Sequence, residues 1–409
     1  MARVTRRHVL YIPGFDPVPP RAYRERYRRE AARQAQISGY VVEHGEPPEG
    51  VRFGWHVDAV VEGEEVAVDL EVLYWADLVR AQMRGGVAAT YWALLRTAWI
   101  YVSSGALWRL MRLRKGPVIA ALYPVLVLLG QLVLAGVGAL ALGAVITWLG
   151  GRAGFEEIMV GPAYGAGLVL GIAFLRWCAG RDHFYAWYLM KDYAFASSLR
   201  GAYPPDQAAR MAAFADRIAE VLQGDADEVL VVGHSSGASI AVSVLADLIR
   251  AGRVPEGGPI LSLLTLGQVV PMVSFLPEAR RLRGDLALMS GADVPWVDVS
   301  APGDGCSFAL CDPVAVTGVA PEGQRWPLVV SAAFTQTLSE AARAGLKWRL
   351  FDLHFQYLNA FDALPEGRDA YEYFRVTLGP MTLWERFGAR APSGSRIART
   401  VNRYTDIAP

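Results

Sequence analysis

From Gly116 to Gly151 the chain reads "GPVIAALYPVLVLLGQLVLAGVGALALGAVITWLGG", 36 residues without a charged side chain. A helix needs only about 20 apolar residues to cross the hydrocarbon of a bilayer. One crossing therefore fits easily, and two would be too tight. A second uncharged run, Ile158 to Leu175, "IMVGPAYGAGLVLGIAFL", has 18 residues and sits near the lower limit for a span. Together they predict a transmembrane hairpin with spans at about 117–149 and 158–175. The competing expectation, a pair of buried core helices, is disfavoured by the length of the first run.

The flanks orient the hairpin. Arg109, Arg112, Arg114 and Lys115 precede the first run and Arg176 and Arg181 follow the second, whereas the connection "GRAGFEE" has one Arg and two Glu. An excess of Lys and Arg marks the cytoplasmic side. The expectation is a multi-pass protein of the cytoplasmic (inner) membrane with its soluble part facing the cytoplasm. Trp108, Trp148 and Trp177 lie beside the ends of the spans, where indoles favour the interface. Gly136, Ala139 and Gly143 on the first helix and Gly161, Gly165 and Gly171 on the second offer small surfaces for close approach. Such faces also suit a homo-oligomer. Before the hairpin, residues 76–115 mix Leu, Trp and Tyr with spaced Arg, in pieces too short to span, and predict an interfacial helix or an amphipathic helix on the soluble part.

Composition narrows the partners. Lys plus Arg equals Asp plus Glu at 40 each, so no net field recruits nucleic acid. The bilayer itself and a hydrophobic substrate are the expected partners. Cys178, Cys306 and Cys311 form no paired framework, which fits a reducing compartment, and Cys306 and Cys311 lack the second Cys/His pair of a zinc site. No metal or cofactor is expected. The N-terminal stretch has no long apolar core followed by a small-residue cleavage site, so no secretory signal is expected.

On either side of the insertion, strand-like and helix-like segments alternate. "HVLYIPGF", "VRFGWHVDAVV", "EVAVDLEVLYW", "EVLVV", "PILSLLTLG", "VPWVDVS" and "KWRLFDL" read as strands. "RAYRERYRREAARQ", "DQAARMAAFADRIAEVLQG" (capped by Asp206) and "SGASIAVSVLADLIRAG" read as helices, with others near 278–283 and 332–344. Continuous apolar strands separated by helices imply an α/β fold, a mostly parallel sheet with helices on both faces. The organisation is then 1–75 and 201–375 as two parts of one α/β domain, 76–200 as a membrane insertion, and 376–409 as a tail.

"GHSSG", Gly233 to Gly237, matches G-x-S-x-G between a strand and a helix. Glycines at both ends permit a turn that a β-carbon would obstruct, exposing the middle serine, Ser235, at the head of a helix. A serine hydroxyl needs a base, and of six histidines only His354, in "DLHFQYL", lies downstream. His234, inside the turn, reads as structural. The acid is expected between them: Asp304 in the loop "APGDG" leads, with Asp298 and Asp312 as competitors. Backbone N–H groups of Ser236 and of Gly14 or Phe15 in "YIPGFDP" are candidate oxyanion donors.

These residues resemble the α/β-hydrolase superfamily of serine esterases and lipases, over residues 5–75 and 200 to about 375. Two features depart from it: "PGF" stands where many relatives have His-Gly, and a hairpin precedes the turn. The resemblance implies a membrane-anchored serine hydrolase cleaving carboxylic esters of hydrophobic or lipid substrates. Acyl transfer or thioester cleavage, such as protein deacylation, would use the same residues, and a non-catalytic membrane scaffold remains the non-enzymatic alternative.

Overall fold

Strand β1 (Arg6–Ile12) alternates two kinds of apolar side chain, and both are buried: Val9 and Tyr11 enter the core on one face of a sheet, Leu10 and Ile12 the core on the other. That is the signature of a strand covered on both sides. The computed structural model describes residues 3–47, 51, 53–365 and 370–408. After α1 (Pro20–Ser38) come β2 (Val41–Gly45), β3 (Gly54–Val61) and β4 (Glu64–Val72). Residues Glu62 and Gly63 close the β3–β4 hairpin with positive φ at both positions, the pairing that matches strand twist. The later strands are β5 (Glu228–His234), β6 (Ile260–Leu266), β7 (Trp296–Ser300) and β8 (Leu328–Ser331).

The sheet order is β2-β3-β4-β1-β5-β6-β7-β8. The pairings from β4 through β1 to β8 are parallel, and those of β2 with β3 and β3 with β4 are antiparallel. The mostly parallel expectation thus holds for the larger part of a mixed sheet. Short, exposed β2 escaped the sequence reading because its "VVEHG" is an edge strand with little to bury.

Between β4 and β5 lie α2 (Ala76–Met83), α3 (Val87–Ser103), α4 (Ala106–Leu113), α5 (Lys115–Arg152), α6 (Glu156–Arg181), α7 (Ala186–Ser197) and α8 (Pro205–Val221). The single interfacial helix expected over 76–115 is therefore three helices, separated at Gly85–Gly86 and at Gly105, whose φ of 72° favours glycine. Helix α8 starts after Pro204, and Asp206 sits in its first turn rather than at the cap. Helices α8, α9 (Gly237–Arg250) and α11 (Arg280–Gly291) cover one face of the sheet. The other face is covered by α1 with α16 (Tyr373–Leu378) and α17 (Leu383–Phe387). Short helices α10 (Val270–Ser274), α12 (Pro313–Thr317), α13 (Phe334–Thr337), α14 (Glu340–Leu346) and α15 (Leu350–His354) complete the loops.

"KWRLFDL" is not a strand. Lys347 and Trp348 form a turn and Leu350–His354 a helix, so β8 is the last strand among the described residues. The segment expected as a tail is integrated instead. Ile397 bridges Cys311, Arg396 pairs with Asp312, and Arg283 holds Asp406. A buried ion pair ties the C-terminal helices to the sheet centre. Arg7 donates to Glu228 at 2.7 Å and to the carbonyls of Gly379 and Met381, while Glu228 accepts from Ser262 and from the amide of Leu383.

Helices α5 and α6 are long and apolar enough to cross a membrane, and only 11 % and 22 % of their most apolar windows is buried. A core helix of a soluble protein would be mostly buried, so these faces await an apolar surrounding. The two pack where small residues let backbones meet: Gly171 lies on Ala135, Gly167 on Ala139, and Gly143 under the ring of Tyr164. Gly136, Gly161 and Gly165 face open space, so the packing face differs in part from the expected one. With 38 residues against 26, α5 outlasts α6 by 12, roughly 18 Å of helix. This overhang, at the N-terminal end of α5, lies among α3, α4 and α7, with which it lines a cavity. Trp187 on α7 donates to Gln131, satisfying the polar group inside the first run at 3.0 Å.

Candidate active site

Strand β5 ends in a turn whose geometry requires its glycines. A β-carbon on Gly233 would lie 2.8 Å from Cα of Ala238, and one on Gly237 would strike the carbonyls of Ile12, the last residue of neighbouring β1, and of Pro13 just after it. Between them Ser235 adopts φ of +58°, a left-handed conformation that costs a non-glycine residue of order 1–3 kcal/mol. Its amide donates to Leu266 of β6 and its carbonyl accepts from Ala238 at the head of α9, which hold the strain in place. Because β1 pairs with β5, the loop after β1 abuts the turn: a β-carbon on Gly14 would be 3.0 Å from that of Ser235.

His354 closes helix α15 and is buried. Its Nδ1 donates to Asp304 Oδ2 at 2.8 Å. Asp304, in the loop after β7, also accepts from the hydroxyl of Tyr357 at 3.0 Å and from the amide of Cys306 at 2.9 Å. Burial pushes its carboxyl up, but the imidazole of His354 and the amide of Cys306 outweigh that and hold it below its ordinary value. Nε2 of His354 and Oγ of Ser235 have no hydrogen-bond partner among the described residues, and both residues line one cavity of about 480 Å³. Gly267, at φ of +52°, lets the backbone after β6 pass beside the imidazole, where a β-carbon would come within 3.1 Å of Cε1.

The competing acids have other attachments. Asp298 is buried within β7, accepts from Thr265, and is pushed up to about 8 by burial, so it is a largely neutral carboxyl. Asp312 caps α12 through the amides of Val314 and Ala315 and pairs with Arg396. His234 donates from Nε2 to the His354 carbonyl at 3.0 Å, and burial lowers it to about 3. It supports the site from behind as a neutral ring.

Phe15 differs from expectation. Its amide donates to the hydroxyl of Ser236 at 2.8 Å, so this candidate oxyanion donor is occupied. The residue is clamped: its carbonyl accepts from Tyr188, and its ring packs against Trp75, Tyr188 and Phe195. The amide of Ser236 has no acceptor among the described residues.

Two residues were not foreseen. Tyr357, three positions after His354, supports Asp304, and its hydroxyl also accepts from the amide of Ala301. Its place in the same short motif was the available signal. Asp192 on α7 is half-buried and lines the cavity, and burial pushes its carboxyl up to about 7. It has no hydrogen-bond partner among the described residues, and no local pattern could have singled it out. Asp304, Cys306 and His354 are the one His/Cys/Asp/Glu group that gathers ligand atoms among the described residues. The acid and imidazole bond each other, however, and burial pushes the Cys306 thiol up, away from the thiolate that a metal requires.

No family model, curated protein or solved structure matches the chain.

Proposed function

We propose that the chain is a membrane-anchored serine hydrolase of α/β-hydrolase type, cleaving carboxylic esters of hydrophobic substrates through an acyl-enzyme on Ser235. One observation carries the reading: a strained serine at a strand-to-helix turn shares a cavity with a histidine whose other nitrogen is bonded to a buried carboxylate. Such strain persists only where surrounding structure imposes it.

In this mechanism Oγ of Ser235 attacks the acyl carbonyl while Nε2 of His354 takes its proton. The imidazolium returns that proton to the leaving alcohol. Asp304, held by Tyr357 and Cys306, keeps the proton-bearing nitrogen oriented and balances the charge. The Ser236 amide, and the Phe15 amide once the Ser236 hydroxyl turns aside, donate to the oxyanion. Water then repeats the sequence and frees the acid. The basic residues beside α5 and α6 favour the cytoplasmic membrane, with the sheet on the cytoplasmic side.

A fluorophosphonate serine probe tests the assignment. The wild type labels, and Ser235→Ala and His354→Ala do not. Undiminished labelling of Ser235→Ala, or none of folded wild type, overturns it.

A further inference from the structure

Beside the catalytic cavity lies a second one, of about 190 Å³, built almost wholly by the insertion. Its walls are α3 with Leu94 and Ala98, α4 with Leu110, and the overhang of α5 with Val118, Ala121 and Val125. Its few polar groups are turned to other uses. The hydroxyl of Tyr101 donates to the Met272 carbonyl at 3.0 Å, and Thr97 accepts from Ser197 at 3.4 Å. What remains is a hydrocarbon lining, which leaves nothing for a polar ligand to bind.

Pro117, Tyr193 and Met272 line both cavities, so the hydrocarbon chamber adjoins the space that holds Ser235 at these three side chains. The outer face of α3 is apolar as well, with Trp92, Leu95 and Trp99 all exposed at helical spacing. A helix apolar on both faces fits between a chamber and lipid. The connection to the hairpin places this wall next to the bilayer, because the same α5 continues into it.

We propose that this chamber receives the acyl chain of the ester, a single unbranched chain of a bilayer lipid, while its carbonyl lies at Ser235. The proposal rests on the hydrolase reading above and assigns its substrate class. An apolar cavity of about 150 Å³ already holds a benzene ring. A chamber of about 190 Å³ therefore takes a comparable stretch, roughly six to eight carbons, with the rest of a longer chain trailing into lipid. Burial of a methylene is worth about 0.8 kcal/mol, so kcat/KM rises up to about fourfold per added carbon until the chamber is full.

The test uses the full chain in detergent micelles with p-nitrophenyl acetate, butyrate, octanoate and palmitate. Wild type gains at least about tenfold in kcat/KM from butyrate to octanoate, then levels off. Ala121→Trp fills the chamber: it keeps butyrate turnover and fluorophosphonate labelling but loses the rise. Leu126→Trp, on the exposed side of the same helix, keeps the wild-type profile. A flat wild-type profile, or an Ala121→Trp profile that still rises, overturns the proposal. A long-chain fatty acid bearing a diazirine supplies a readout independent of turnover and of whether Ala121→Trp folds. Adducts on Leu110, Val125 or Met190 of wild type, which line this chamber and not the Ser235 cavity, support it even if the serine probe fails to label. Adducts confined to the outer surfaces of α5 and α6 overturn it.

Discussion

The cavity at Ser235 has two unlike halves. The half built by the sheet is dense with hydrogen bonds: Asp304 accepts three, Tyr357 links it to Ala301, and His234 braces the His354 backbone. The half built by the insertion is aromatic and aliphatic, and its one acid, Asp192, has no partner among the described residues. A proton-transfer apparatus works only when each group is held at a fixed angle and distance, whereas an apolar substrate is recognised by shape and exclusion of water. On the hydrolase reading, the division puts fixed geometry behind Ser235 and adjustable volume in front of it, with the two requirements met by different parts of the chain.

The largest expected effect lies on the sheet side. Glu228→Ala leaves Arg7 buried without its partner and costs about 3–5 kcal/mol, read as a lowered melting temperature of the solubilised chain. A loss near zero would mean that water or repacking replaces the pair, and that the sheet half is less rigid than its hydrogen bonds imply.

Next comes the pH dependence of the insertion half. The carboxyl of Asp192 is raised from 3.8 to about 7 in the folded chain, so the folded state keeps its proton longer than the unfolded one. Below pH 3.8 both states are protonated and there is no penalty; stability then declines as pH rises toward about 7 and levels off above it. Asp192→Asn removes this slope. Asp298 and Glu372 on the sheet side, raised to about 8 and about 7, contribute slopes of the same sign, so the difference between variant and wild type isolates Asp192. Melting curves across that window that stay parallel for the two proteins would place the Asp192 carboxyl in contact with bulk water.

Tyr357→Phe removes one of the three donors to Asp304. A hydrogen bond to a charged group is worth about 1.5–3 kcal/mol, so kcat is expected to fall by about tenfold or more with KM for a short-chain ester unchanged. A change in KM alone would move Tyr357 to the substrate-binding half. The smallest effect is expected from Ser236→Ala, which frees the Phe15 amide and leaves kcat within about threefold. A loss of about 10²–10³, the usual effect of removing an oxyanion donor, would make the hydroxyl itself the donor.

Much of the candidate site was readable in order along the chain. Ser235 stands out because only glycines tolerate the contacts at Gly233 and Gly237, and His354 because it is the sole histidine downstream. Asp304 could be ranked above Asp298 and Asp312 but not separated from them, since all three sit in or after one strand and only their partners differ. "KWRLFDL" misled because a short apolar run with alternating polar residues has the pattern of a strand, while here a turn at Lys347 and Trp348 leads it into helix α15.

The amino-acid sequence alone determined the two long apolar helices, the alternation of strands and helices, and the turn that exposes Ser235, because each depends on neighbours within a few residues. Only the tertiary structure decided that the first part of the uncharged run is a chamber wall instead of hairpin, that Asp192 meets the Ser235 cavity, and that the Ser236 hydroxyl occupies the Phe15 amide. Those outcomes depend on which surfaces meet across a hundred or more residues, and hydrophobicity, being without direction, does not encode the meeting.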